Sequence, residues 1–242
     1  MADDPTPGDF PSTHWSRVLA AGDPEAPLAR KALSELCQAY WFPLYAYFRR
    51  RVQDPDRAQE LTQDLFVRLL EKGALAAADP ARGRFRSFLR AVCADFLANR
   101  RDWERATKRG GGRTTFSLDL AEAEDRYGRE PAHELTAERI FDRTWALTLL
   151  QRVLDQLRRE FESAGQGANF AELGAVLTDA DSVVPYKTIA ARLNMSEGAV
   201  RVAVHRLRRR YGALLRAEIA ATVGDPAEVE DEIRALFAAL GR

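Results

Sequence analysis

The sequence predicts an all-α protein with two helical domains joined by an acidic linker, the C-terminal one carrying a helix-turn-helix. Apolar residues recur at helical spacing through most of the 242-residue chain. Charge is segregated: ten Lys or Arg face three acids over residues 82–113, and eight acids face three basic residues over 117–142. A further basic block, residues 185–216, holds eight Lys or Arg against one acid and contains two helical segments separated by a turn.

Composition limits the class of protein. A hydrophobic content of 46% and a charged content of 30% are those of a soluble globular chain. The formal net charge is zero, but the segregated blocks keep nucleic-acid binding open. Cys37 and Cys93 form no CxxC pair, so we expect a reduced, cytoplasmic protein without a zinc site or disulfide framework. No apolar run approaches the ~20 residues of a membrane span, and the acidic N-terminus is not a signal peptide.

Residues that would support catalysis are scattered. The three histidines, at positions 14, 133 and 205, form no triad or metal cluster, and no Gly-rich phosphate loop follows a predicted strand. We therefore expect no enzyme activity, no catalytic residue, no metal and no cofactor.

The first domain is predicted over residues 23–112, after a polar, Pro-rich extension of residues 1–22. Asp23-Pro24 starts an aromatic-rich helix in which Pro43 should cause a kink or a restart. Asp54-Pro55 opens a second, amphipathic helix. A third segment, over 82–113, interleaves aromatic with basic residues, which suits single-stranded DNA because rings stack on bases and cations track phosphates. In isolation, a solvated amphipathic helix is the favoured interpretation of that segment. An acidic linker with little periodicity follows over 113–135.

The second domain is predicted over residues 136–224. It begins with an amphipathic helix over 136–161 that Gly165-Gln-Gly167 breaks, and a short helix follows over 170–177. Tyr186 to Leu193 form the next helix, Asn194 and Met195 fill a turn, and Ser196 is the N-cap of a long basic helix. Residues 225–242 form a last amphipathic helix that a capping box opens. We expect this helix to pack on the C-terminal domain, with a docking site for a regulator as the alternative.

The long basic helix has two distinct faces. Val200, Val204 and Leu207 recur at helical spacing and should pack against the preceding helix. Basic residues cover another face at spacings of three and four. An apolar back and a basic front are what a recognition helix needs to lie in a major groove. A solvated basic helix in an ordinary helical hairpin is the alternative interpretation.

Three segments carry a specific resemblance. Tyr186-Lys-Thr-Ile-Ala-Ala-Arg-Leu, Ser196-Glu-Gly-Ala-Val-Arg and His205-Arg-Leu-Arg resemble the C-terminal domain of bacterial sigma factors, closest to the compact extracytoplasmic-function (ECF) type. YWFPLYAYFRRRV with DPDRAQELTQDLFVRLLEKG resembles the first half of the sigma N-terminal domain. GRFRSFLR with FLANRRD resembles the segment that melts and reads the downstream (minus-10) element, although the family often has Trp at the position of Phe88. The segment over 158–184 and the last helix depart from the family pattern.

The resemblance implies a sigma factor that binds core RNA polymerase, directs promoter recognition and initiates transcription. Its expected partners are core polymerase, promoter DNA and, as regulators left open, an anti-sigma factor, a kinase or the chain's own tail. Residues implied for the upstream (minus-35) element are Lys187, Ser196, Glu197, Arg201, His205, Arg206, Arg208, Arg209 and Arg210. Those implied for the downstream element are Arg84, Arg86, Phe88, Asn99, Arg100 and Arg101. Those implied for polymerase docking are Gln59, Gln63, Asp64, Phe66 and Arg68.

Two other functions compete with a sigma factor. A stand-alone repressor or activator would bind duplex DNA by itself and need no docking face for polymerase. A nucleic-acid enzyme such as a nuclease would need a carboxylate or histidine cluster, which the sequence does not contain.

Overall fold

A computed structural model describes residues 29–70, 84–99, 120–131, 134–178 and 184–241. Within those ranges the chain is helical and contains no strand, so the all-α prediction is confirmed. The helices are α1 (Ala29–Val52), α2 (Pro55–Leu70), α3 (Phe85–Ala98), α4 (Leu120–Gly128), α5 (Ala137–Ser163), α6 (Gly167–Leu173), α7 (Ala175–Thr178), α8 (Tyr186–Leu193), α9 (Glu197–Ala220) and, after a 3-10 turn at Pro226–Glu228, α10 (Val229–Leu240).

The chain divides into two compact units. The first comprises residues 1–148 and 219–242, and the second comprises residues 149–218. The boundaries fall inside α5 and α9, so they differ from the predicted domains over 23–112 and 136–224. No helix of the described ranges is both long and apolar enough to cross a membrane.

Helix α1 forms the centre of the first unit. Every residue from Phe42 to Phe48 is buried, which means that the helix is covered around its whole circumference. It continues through Pro43 instead of restarting there, so that part of the prediction is wrong. Phe48 meets Phe96 of α3 edge to face, with ring centroids 6.0 Å apart. Helix α2 packs along α1, and the Asp54 carboxylate accepts a hydrogen bond from the Arg57 backbone N–H at 2.7 Å, as its predicted N-terminal position requires.

The predicted linker is partly helical. Residues 120–128 form α4, which packs against α1 and α2, so a linker with little helical periodicity over 113–135 is the wrong expectation for this stretch. Glu124 anchors it by accepting hydrogen bonds from the Tyr45 hydroxyl at 2.5 Å and from Arg49 Nε at 2.9 Å. Residues 113–119, 132 and 133 of the linker lie outside the described ranges.

Acid is expected to weaken the attachment of α4. Burial alone would raise the pKa of Glu124, but the hydrogen bonds from Arg49 and Tyr45 bring that pKa below its usual range. A lowered folded-state pKa stabilises the protein above the unfolded-state value of about 4.3 and is lost as pH falls through the folded-state value. Glu124→Gln should therefore lower the melting temperature at pH 7 and flatten its decline at acid pH. Asp125→Asn, an exposed neighbour, is the control; equal pH profiles for Glu124→Gln and wild type would contradict the assignment.

Among its described residues, the second unit contains five helical segments: the end of α5, then α6, α7, α8 and most of α9. The end of α5 contributes Val153 and Leu157 to the core, and α6 contributes Phe170 and Leu173. Gly165 has φ +70°, a left-handed conformation that favours glycine, and it follows the end of α5 as the predicted helix break requires. Helix α6 packs against α8, and Phe161 contacts Phe170 with ring centroids 5.5 Å apart.

The last helix contacts both predicted domains. Helix α10 lies in the first unit, and its Leu240 carbonyl accepts a hydrogen bond at 3.0 Å from Arg143, a residue of the predicted C-terminal domain. Buried Glu232 of α10 pairs with Arg84 and Arg86, which precede and begin α3. Only the Asp225 half of the predicted capping box is present: its carboxylate accepts a hydrogen bond from the Ala227 backbone N–H at 2.8 Å and caps the 3-10 turn, whereas Glu228 makes no side-chain cap.

Candidate nucleic-acid interface

A tight connection joins α8 to α9. Asn194 adopts the left-handed conformation, with φ 52° and ψ 44°, and its backbone N–H bonds the Ala190 carbonyl. The Met195 backbone N–H donates to the same carbonyl at 2.9 Å. Ser196 Oγ accepts from the Ala199 backbone N–H at 3.2 Å, so the predicted N-cap is confirmed. The two helices are therefore joined by three residues, Asn194, Met195 and Ser196, whose hydrogen bonds end α8 and cap α9.

The two predicted faces of α9 are separated by burial. Val200, Val204 and Leu207 are each no more than 2% exposed, and Ile189 and Ala190 of α8 are also buried. The side chains implied for the upstream element are all exposed: Lys187, Ser196, Glu197, Arg201, His205, Arg206, Arg208, Arg209 and Arg210. The apolar back and the basic front expected from spacing thus both exist in the fold.

Some side chains of the basic front form ion pairs within the protein, and others do not. Arg201 donates to Glu197 one turn earlier at 2.8 Å. Arg210 donates to both carboxylate oxygens of Glu160 on α5, at 2.6 and 2.8 Å. This hydrogen-bonded pairing brings the pKa of Glu160 below its usual range. His205, Arg206, Arg208 and Arg209 make no ion pair with any described residue, and the three arginines among them give this part of the surface uncompensated positive charge.

Val202 is a candidate that we did not predict. Its side chain is 50% exposed, which is unusual for valine in a helix whose other branched residues are buried. It lies at i, i+4 and i+7 spacing with Arg206 and Arg209, so it shares their stripe of the helix. The spacing alone contained this information, because Val202 falls off the apolar stripe that Val200, Val204 and Leu207 define.

The residues implied for polymerase docking separate into two groups. Gln59, Gln63, Asp64 and Arg68 are partly exposed on α2. Phe66 is only 3% exposed, so its assignment to a docking surface is wrong. Thr62, Phe66 and Leu69 form one buried stripe at i, i+4 and i+7, and this period places the Phe66 ring in the core. Arg68 is held toward α3, where it pairs with Asp95 at 3.3 Å.

The residues implied for the downstream element are mostly engaged. Arg86 is 7% exposed, donates to Glu232 at 2.6 and 3.0 Å and to Asp142 at 2.7 Å, and lies over the Trp145 ring. Its assignment to DNA contact is wrong in this conformation, because it is a buried structural cation. The helical period could have predicted this burial, because Arg86 precedes the buried Leu89 and Cys93 by three and seven residues and therefore shares their face of the helix.

The remaining members of that set have mixed positions. Arg84 is partly exposed and pairs with Glu232 at 2.9 Å. Phe88 is partly buried and stacks on Phe85, with centroids 5.9 Å apart and planes 24° from parallel. The Asn99 amide is exposed and donates to the Asp95 carboxylate at 2.7 Å. Arg100 and Arg101 lie outside the described residues.

Other chemistry-bearing groups are sparse in the described ranges. Burial raises the pKa of the Cys93 thiol well above its usual range, which disfavours the reactive thiolate. No three His, Cys, Asp or Glu residues in those ranges form a group that could hold a metal ion. Comparison of the chain with protein-family models, with curated proteins and with solved structures finds no match.

Proposed function

We propose that the chain is a transcription initiation factor of the ECF sigma type, which binds core RNA polymerase and directs it to promoters. The observation that carries the proposal is the exposed basic front of α9, backed by an apolar face and entered through a capped three-residue turn. Such a helix fits the major groove with its N-terminal turns against base edges. The inference that polymerase is the partner depends on the segment resemblances, because a basic helix alone occurs in many DNA-binding proteins.

Two surfaces support the proposal in different ways. On the basic front of α9, three arginines and one histidine make no ion pair with a described residue. Contacts between basic side chains and phosphates supply much of the affinity of a protein for DNA. The partly exposed polar residues Gln59, Gln63 and Asp64 lie on α2, outside its buried stripe. A sigma factor needs both surfaces, whereas a stand-alone regulator needs only the first.

The docking surface is tested by polymerase capture without DNA. Asp64→Arg should lose core polymerase in a pull-down while keeping its helical content by circular dichroism. Asp56→Arg, an exposed acid at the start of the same helix, undergoes the same charge change and should retain capture. Undiminished capture by Asp64→Arg, or equal loss in both variants, would remove the support for a docking site on α2. Tight sequence-specific duplex binding by the free protein would instead favour a stand-alone regulator.

The recognition surface is tested by separating base contacts from phosphate contacts. Arg201 lies in the first turns of α9, so we expect it to exchange Glu197 for a guanine, at about 1–3 kcal/mol of discrimination. Arg209 lies two turns later and should meet phosphate. Arg201→Ala should therefore change the preferred upstream sequence. Arg209→Ala should weaken all promoters alike and lower the salt slope by roughly one.

The measurement is transcription by reconstituted holoenzyme on templates randomised at the upstream element, followed by sequencing of the transcribed templates. Val202 extends the same experiment, because an exposed methyl-bearing side chain in this position suits contact with a thymine methyl group. Val202→Ser should then lower the preference for thymine at one position. Identical sequence profiles for Arg201→Ala and Arg209→Ala would contradict the proposed docking pose.

A further inference from the structure

A cleft lined with arginine lies inside the first unit. It is bounded by α3 with the residue before it, by the first turns of α5 and by α10, and its volume is about 590 Å³. That volume lies within the range of small-molecule sites, roughly 300–1,000 Å³. Ala235, Ala238 and Ala239 of α10 form one side of the cleft, while its cationic lining is Arg84, Arg86, Arg90 and Arg139.

Arg86 forms a fixed base for this lining. It is buried, and Glu232 and Asp142 together accept hydrogen bonds from its Nε, Nη1 and Nη2 atoms. The same two carboxylates serve two further cations: Arg84 Nη1 lies 2.9 Å from Glu232, and Arg90 Nη1 lies 2.6 Å from Asp142. Three guanidinium groups thus share two carboxylates, which leaves one positive charge in excess.

Arg139 adds a second positive charge. It is exposed on the first turn of α5, lines the same cleft and has no acidic partner within the described ranges. Arg90 is only 33% exposed, so part of the excess charge is held away from bulk water. Charge that is partly withdrawn from water costs free energy unless an opposite charge compensates it. The described lining is therefore complementary to an anion carrying about two negative charges.

We propose that this cleft binds a phosphate-bearing ligand, with Arg90 and Arg139 donating to the phosphate oxygens. Guanidinium groups present paired donors that match phosphate geometry, and a phosphate dianion fits two excess charges better than a single carboxylate does. The small alanine side chains leave space for the organic part of the ligand beside the arginines. A free phosphorylated small molecule and the backbone of a single nucleic-acid strand share this chemistry.

Calorimetric titration of the full-length protein tests the proposal and separates the two sources. Tripolyphosphate is the small probe and a short single-stranded oligonucleotide is the polymeric one, both at constant ionic strength. We expect saturable binding of at least one probe and a weakening of at least tenfold in Arg139→Gln. Arg234→Gln is the matched control, because Arg234 is an exposed arginine of α10 outside the cleft lining and loses the same charge.

Each outcome decides the matter. Binding of tripolyphosphate that depends on Arg139 assigns a free small ligand, and Arg139-dependent binding of the oligonucleotide alone assigns a nucleic-acid strand. The absence of saturable binding to the wild type, or equal weakening in Arg139→Gln and Arg234→Gln, overturns the proposal. Neither titration involves polymerase or duplex promoter DNA, so failure here is distinguishable from failure of the proposed sigma function.

Discussion

Glu232→Ala is expected to lower the free energy of unfolding of the first unit by about 3–5 kcal/mol, the usual cost of removing one partner from a buried ion pair. Glu232 is 0% exposed, and both of its oxygens accept hydrogen bonds from Arg86, itself 7% exposed. Removal of the carboxylate leaves Arg86 with Asp142 alone and takes the nearest anion from Arg84. The remaining buried charge, rather than the lost contact, causes most of the expected effect.

Chemical denaturation followed by circular dichroism measures this difference. Asp231→Ala is the control, because Asp231 is the adjacent residue and pairs with Arg234 at the exposed surface of α10. Exposed pairs of this kind contribute about 0–1 kcal/mol, so the control should remain close to the wild type. A loss below about 1 kcal/mol for Glu232→Ala would show that α10 is not held to α3 by this pair.

Leu207→Asp is expected to unfold the second unit. Leu207 is 1% exposed on the apolar back of α9, and truncation of such a leucine to alanine alone costs about 2–5 kcal/mol. A carboxylate in that place adds the cost of burying an unpaired charge. Because the basic front depends on burial of the apolar back of α9, sequence-specific transcription should disappear together with the helical signal.

Val202→Asp is the matched control for stability. It places the same carboxylate on α9 at a side chain that is 50% exposed, so the melting temperature should change little. Both variants are compared by thermal unfolding and by limited proteolysis between residues 149 and 218. Equal melting temperatures for Leu207→Asp and wild type would contradict the burial of the apolar back.

Local features of the fold were predictable because their causes are local. The Ser196 cap, the Asp54 cap and the break at Gly165 each depend on side-chain chemistry within a few residues. The separation of Val200 from Arg201 onto different faces follows from the helical period alone. These are the features on which the candidate recognition surface depends.

The unpredicted features depend on pairs distant in the chain. Glu124 and Tyr45 are 79 residues apart, and Glu232 and Arg86 are 146 apart. A short stretch of sequence does not indicate that one of its acidic residues will pair with a buried arginine or tyrosine on a distant helix. The side-chain pairings that hold α4 and α10 could therefore not be predicted from periodicity or composition.

Two site assignments were wrong because they were made from position in the sigma-like segments, whereas the helical period places both residues on buried faces. Phe66 and Arg86 occupy positions that the sigma resemblance gives to partner contacts, yet both fall on buried stripes of their helices. Arg86 is the less obvious case, since an arginine in a basic block suggests a solvent-facing cation. It is buried because Glu232 and Asp142 compensate its charge.

Run-off transcription with purified core RNA polymerase tests the central claim most directly. Core enzyme alone, core enzyme with the wild-type chain, and core enzyme with Asp64→Arg are compared on the same set of genomic fragments. The sigma proposal predicts discrete transcripts that require the wild-type chain and are reduced with Asp64→Arg. Fragment-specific DNA binding by the free chain, with the same transcripts from core enzyme whether or not the chain is added, would contradict it.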